Sequence, residues 1–96
     1  MRLLRVMESD KPEKKLKAIF ETESGRTKTI HFGQRGADDF TITGDKAQRE
    51  RYINRHSANE NFQKADTGGA LSRWVLWGNS KSRAKNIADF KRRFNL

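Results

Sequence analysis

Two alternating stretches, "KLKAIFET" (15–22) and "TKTIHFG" (27–33), stand on either side of "ESGR" (23–26). In the first, Leu16, Ala18 and Phe20 fall on one face and Lys15, Lys17 and Ile19 on the other. In the second, Ile30 and Phe32 share a face with Lys28, opposite Thr29 and His31. Successive side chains of an extended chain point to opposite faces, so a period of two marks a half-buried strand. Gly25 in the connection can take the positive φ of a tight turn. Together these runs predict a β-hairpin.

The flanks extend the pattern. "LLRVM" (3–7) is a short apolar run suited to an edge strand, and "SDKPEK" (9–14), with the single proline, reads as a loop. Residues 1–14 are thus an N-terminal strand and loop, free to be mobile, ahead of a single domain over 15–96. "GQRGADDFTITGD" (33–45) reads as a loop holding a short strand at 40–43 that returns to the sheet. Asp45, with Gln48 three residues on, forms a capping box that opens a helix over 46–56. A polar connection over 57–69 carries one helical turn near Phe62. "ALSRWVLWG" (70–78) is a compact apolar helix with Leu71, Trp74 and Val75 at helical spacing and Gly78 at its exit. Residues 79–96 form a last helix capped by Asn79 or Ser80. The expected fold class is α+β: a small antiparallel β-hairpin or three-stranded sheet packed on one face by two or three C-terminal helices.

Ninety-six residues suit one domain, and hydrophobic and charged residues are nearly balanced at 33% and 34%. Six Phe, two Trp and one Tyr separate the chain from disordered sequences of similar polarity. The absence of cysteine excludes disulfides, thiolate zinc sites and cysteine nucleophiles. "MRLLRVMESD" is broken by Arg5 and ended by Glu8 and Asp10, too short for a signal peptide or a membrane span. A soluble, intracellular protein with no membrane partner is expected. Net charge is +9, and it is lopsided: residues 1–48 hold ten basic and eight acidic side chains, residues 49–96 eleven and four. Such a field draws polyanions.

"RERYINRHSANENF" (49–62) looks most like chemistry. At 100° per residue, Tyr52, Ile53 and His56 share one face with Arg49 at its centre, while Arg51 and Arg55 form a stripe beside it. That face should pack against the sheet, where a buried tyrosine, histidine and arginine each need partners. The reading is a structural polar network of Asp39, Arg49, Tyr52, His56 and Glu60, with no catalytic and no metal-ligating residue. His31 and His56 lie on different elements, adjacent carboxylates in "ADD" (37–39) point apart, and "GQRG" lacks the Lys-Ser/Thr of a phosphate loop. No cofactor is expected. Tyr52 and His56 lining an open cleft beside carboxylates would favour an enzyme instead.

In the last helix Ile87, Phe90 and Phe94 make a narrow apolar stripe, with Lys81, Lys85 and Arg92 gathered opposite and Lys91 and Arg93 flanking. Part of this charge offsets the helix dipole, and the remainder exceeds what capping needs. Trp74 and Trp77 read as core before stacking platforms for bases, Trp77 being the more exposed of the two.

"HFGQRGADDFTI", "DKAQRERYINRHSANENF", "GGALSRWVLWGNS" and "KNIADFKRRFNL" occur here in that order. The set resembles a family of small basic proteins of unknown function encoded mainly by large double-stranded DNA viruses of algae and protists, over residues 15–96. The resemblance implies a virus-encoded accessory protein, with a place in the virion open to it, and no activity. Its recurring features match Phe32-Gly33, Gly36, Asp39, Thr41, Arg51-Tyr52, Arg55-His56, Glu60, Leu71-Ser72-Arg73, Leu76-Trp77 and Arg93-Phe94. Phe40 and Phe62 stand where relatives carry tyrosine and tryptophan, keeping the ring and losing the polar handle. The functional expectation is a nucleic-acid-binding protein, DNA ahead of RNA, that grips phosphates through Arg51, Arg55, Arg73, Lys81, Lys85, Arg92 and Arg93 without reading bases. The alternative is a structural virion protein meeting acidic virion proteins, and a weaker one is a metal-dependent nuclease.

Overall fold

The computed structural model describes all 96 residues. Three strands, β1 (Arg2–Glu8), β2 (Lys14–Glu21) and β3 (Thr27–Gln34), form an antiparallel sheet in the order β1-β2-β3. Four helices follow: α1 (Phe40–Thr43), α2 (Lys46–Ser57), α3 (Gly68–Leu71) and α4 (Arg83–Phe94). The fold is α+β, a three-stranded sheet followed by C-terminal helices. The N-terminal strand belongs to the same sheet, paired with β2 from Arg2↔Glu21 to Glu8↔Leu16.

The period-two pattern sets the register. Leu16 pairs with Phe32 and Ala18 with Ile30, so one face of the sheet presents Leu16, Ala18, Phe20 and Phe32 to the core, all buried. Leu71, Val75 and Leu76 come down on that face with Phe90 from α4. Burying each of the larger side chains contributes about 1.5–3 kcal/mol. Ile87 and Phe94 pack on the rim of this core, and the Phe90 and Phe94 rings meet at 5.0 Å.

Four local expectations are corrected. Residues 40–43 form one helical turn and no strand, because the Asp39 side chain accepts from the Thr41 amide at 2.8 Å and Gly44, at φ 65°, closes the far end. Asp45 does cap α2, accepting from the Ala47 and Gln48 amides, but Gln48 does not reach back to complete a box: its side-chain oxygen accepts from Thr43 Oγ1 at 2.9 Å. The last helix is capped by Ser82, through the Lys85 amide, and not by Asn79 or Ser80. Lys81 therefore lies before the helix, off the Lys85–Arg92 face, with its stem against Gly44.

The fourth correction is the largest. The helix begun by α3 widens into a π turn over Ser72–Leu76, closed by the Trp77 amide on the Ser72 carbonyl at 2.9 Å. An α-helical wheel no longer applies there. Leu76 and Trp77 turn inward, 2% and 7% exposed, and Trp74 rather than Trp77 is the partly exposed tryptophan. Trp74 keeps its indole N–H satisfied on the Phe62 carbonyl at 2.8 Å.

Asn86 of α4 locks the far end of this turn. Its Nδ2 donates to the Val75 and Ser80 carbonyls at 2.9 and 2.8 Å, and its Oδ1 accepts from the Ser80 amide at 3.1 Å. Gly78 makes the approach possible: a Cβ there would stand 2.4 Å from the Trp74 carbonyl oxygen and 2.7 Å from Asn86 Cγ. Gly78→Ala must push α4 off the π turn, and we expect a loss of about 1–3 kcal/mol in urea unfolding. An unchanged midpoint would show that the junction relaxes freely.

Candidate ligand cleft and arginine cluster

Tyr52, on the inward face of α2, lies between two other rings. Trp77 stacks on it at 4.4 Å and 8° between planes, and His56, one helical turn on, at 4.1 Å and 26°. His56 Nδ1 stands 3.3 Å from Glu60 Oε2 just beyond the helix end. That carboxylate oxygen is buried and has no hydrogen-bond partner. Burial pushes the Tyr52 phenol up to about 12, with Glu60 adding to the shift and a hydrogen bond to Ser72, together with Arg55 and Arg73, opposing it.

Beyond Tyr52, which is buried with the core, the group borders open space. Tyr52, Arg55, His56 and Glu60 line one side of a half-open cleft of about 420 Å³, with Lys14, Lys15 and His31 across it on β2 and β3 and Gly68 and Gly69 at its end. Tyr52 is packed away as expected, 9% exposed and part of the core, so the pair does not stand in an open cleft. The expectation is corrected for His56 alone, which is half-buried and lines the cleft. Asp39 is the best-satisfied member of the expected network. Only 1% exposed, it pairs with Lys15 at 2.6 Å and also holds Thr41, and it does not touch Arg49. His31 shares a hydrogen bond with Ser9, whose hydroxyl lies 2.7 Å from Nδ1.

Arg49 leaves this group altogether. Its Nε donates to the Trp77 and Gly78 carbonyls at 3.1 and 2.8 Å and its Nη2 to Asn79 Oδ1 at 2.7 Å. Arg73 donates to the same Trp77 carbonyl at 3.0 Å, so two guanidinium groups converge on one oxygen at the open end of the π turn. Carbonyls left unpaired at a helix end attract cations in this way. Arg73 and Arg93 also lie over the Trp74 ring, 4.0 and 3.7 Å from its centroid. Burial first, and then repulsion from Arg49 and Arg93, lowers the Arg73 guanidinium to about 10, still charged at neutral pH. A groove of about 540 Å³ runs alongside, lined by Trp74, Asn79, Asp89, Arg92 and Arg93 among others.

The remaining expected cations divide between these places and the open surface. Arg55 lines the cleft, Arg51 and Lys85 are exposed, and Arg92 pairs with Asp89. Ion pairing sharpens the charge asymmetry. Among the ten basic side chains of residues 1–48, five meet a carboxylate, but among the eleven of residues 49–96 only Arg92 does. Lys28 even takes Asp66 from the second half, and its hydrogen bond holds that carboxyl below the usual range. No three His, Asp or Glu side chains converge as a metal site. No helix is long and apolar enough to cross a membrane. Sequence reasoning missed the joining of Arg49 to Arg73 and Arg93, and the role of Lys15. Both depend on backbone carbonyls and partners far along the chain, for which no local spacing exists.

Because Tyr52 is the single tyrosine, phenolate absorbance reads it alone. Its folded value lies above its ordinary 10.0, so the stability tied to the phenol is whole below pH 10.0 and lost as the pH rises through about 12. Arg73, lowered, acts in the opposite sense, which makes absorbance a cleaner readout than stability. We expect the native titration midpoint well above that of the urea-unfolded chain. Coincident midpoints would place the phenol in open solvent.

No curated protein and no solved structure matches the chain. A family model does, over residues 4–56, taking in the strands, α1 and α2 almost to its end. The resemblance read from the motifs ran on to residue 96, whereas the match stops at His56, before the π turn and α4. The chain belongs to this family, a family of unknown function (DUF5754).

Proposed function

We propose that the protein binds nucleic acid through its phosphates, DNA ahead of RNA, with the Arg49–Arg73–Arg93 cluster as the anchor. The observation that carries this is a set of guanidinium groups crowded around Trp74 and the Trp77 carbonyl with no carboxylate paired to any of them. Like charges held that close repel, and a phosphate placed among them relieves the repulsion while accepting the planar N–H donors. Trp74 holds two of the arginines in place, so less side-chain freedom is lost on binding. Arg51, Arg55, Lys81 and Lys85 supply further phosphate contacts, and Arg92 joins at the cost of its link to Asp89. The accessory, virus-encoded context implied by the motif set fits such a partner, in the host cell or the particle.

About six phosphate contacts should lower duplex affinity about a thousandfold between about 50 and 200 mM salt. Arg93→Ala, an exposed change, should reduce the slope of log affinity against log salt by about one. A flat salt response would turn the reading toward a virion protein meeting acidic protein surfaces. A second reading rests on the cleft: His56 backed by Glu60 beside Tyr52 is the arrangement of a general base, which makes phosphodiester cleavage worth an assay. Cleavage abolished by His56→Ala, with or without Mg²⁺, would support it, and no cleavage in either condition would remove it.

A further inference from the structure

Proteins that hold single-stranded nucleic acid set exposed aromatic rings along a cationic groove, so that successive bases stack on them. This chain has the cations but keeps its rings from view. Of six Phe, two Trp and one Tyr, only Phe62, Trp74 and Phe94 escape burial. Phe94 packs on the Phe90 ring at 5.0 Å, at the rim of the core. Trp74 stands in the arginine groove, where a stacking platform would belong. Its faces are taken. The guanidinium carbons of Arg73 and Arg93 lie 4.0 and 3.7 Å from the centre of the ring. A flat group in contact rides about 3.5 Å above a ring, so two such carbons on one face would stand within about 3 Å of each other, inside van der Waals contact. They therefore lie on opposite faces, and the indole is sandwiched between them. Its edge is engaged as well, through the N–H on the Phe62 carbonyl.

A base reaches that ring only by displacing Arg73 or Arg93, the groups a phosphate needs. We infer that the arginine cluster selects duplex over single-stranded nucleic acid. The inference rests on the phosphate reading above and names the class of partner at that same site. A flexible strand loses freedom on being bound, and stacking offsets the loss in proteins that hold single strands, at about tenfold or more in affinity per base. Beside these cations no ring is open to supply it, and Phe62 is a lone ring where single-strand grips use several in succession. A duplex arrives with its phosphates already ordered, at about one charge per 1.7 Å of axis, and calls only for charge and N–H donors. Guanidinium groups held in place on an indole offer both.

The test sets a mixed-sequence DNA duplex against oligo(dT) of the same length, each bound to the intact chain over a range of salt, with tryptophan emission recorded alongside. At about 100 mM salt the duplex should bind at least about tenfold more tightly, and its affinity should fall more steeply with log salt. Oligo(dT) should leave the emission unquenched, because Trp77 is buried and Trp74 is covered on both faces. Arg93→Ala, an exposed change, uncovers one face of Trp74. It should weaken the duplex, narrow the gap to oligo(dT), and let oligo(dT) begin to quench. Three results would overturn the inference while leaving the phosphate reading in place: salt-dependent binding of oligo(dT) as tight as that of the duplex, quenching by oligo(dT) in the unaltered chain, or an Arg93→Ala chain whose duplex preference is unchanged. Binding of neither nucleic acid in a salt-dependent way would remove the phosphate reading, and the inference with it.

Discussion

The hydrogen bond from the Trp77 amide to the Ser72 carbonyl, five residues back, decides where the important groups of this molecule point. An ordinary α turn would keep Trp74 in line with Leu71 and carry Trp77 further round toward solvent. The wider turn brings Leu76 and Trp77 to the core and leaves Trp74 partly outside. Asn86 then ties the Val75 carbonyl to α4, so the irregular turn is held from the helix side as well as by the sheet beneath it. A π turn is rare and occurs mostly as a single turn within a helix, and here the surrounding packing holds it. Phe90, Leu76 and the close approach at Gly78 provide that packing.

Two ionic arrangements with different energetics follow from this frame. Lys15 and Asp39 form a buried pair, and Asp39 holds further donors from Thr41, so its desolvation is offset by several partners at once. Removing either member would strand the other, which is far worse than never having had the pair. The arginines around Trp74 are the converse: they meet carbonyls and a ring face, and their charge is left unanswered. The first arrangement ties the loop after β3 to the sheet. The second ties α2 and the Trp74 ring to the end of the π turn, and it does so with no carboxylate to balance the charge.

The strands were legible because their information is local. Leu16, Ala18, Phe20 and Phe32 alternate with polar neighbours, and alternation needs no knowledge of the rest of the chain. The Asp45 cap and the Ile87, Phe90 and Phe94 stripe were legible for the same reason. "FTIT" failed as a strand because its β-branched residues were read without the Asp39 carboxyl and Gly44 that close it into a turn. The tryptophans were exchanged because a wheel at a constant angle has no means of describing a π turn. Arg49 was given an acid partner because charge pairs with charge by default, yet carbonyls some thirty residues away at Trp77 and Gly78 claimed it. His56 was read as buried with Tyr52, but near the end of α2 it is only half-buried and lines the cleft.

Trp77 joins the two candidate sites through a single residue. Its ring supports Tyr52 and through it His56 in the cleft, while its carbonyl gathers Arg49 and Arg73 at the groove. Both groups are fixed by the same backbone, since the π turn sets the ring direction and leaves the carbonyl unpaired within the helix. A ligand that draws Arg49 or Arg73 away from that oxygen changes what holds Trp77, and the change bears on the ring that floors the cleft. Packed cores transmit such displacements because they contain little free space to absorb them. A ligand at the groove would therefore bear on the cleft through Trp77, and linkage of that kind acts equally in both directions.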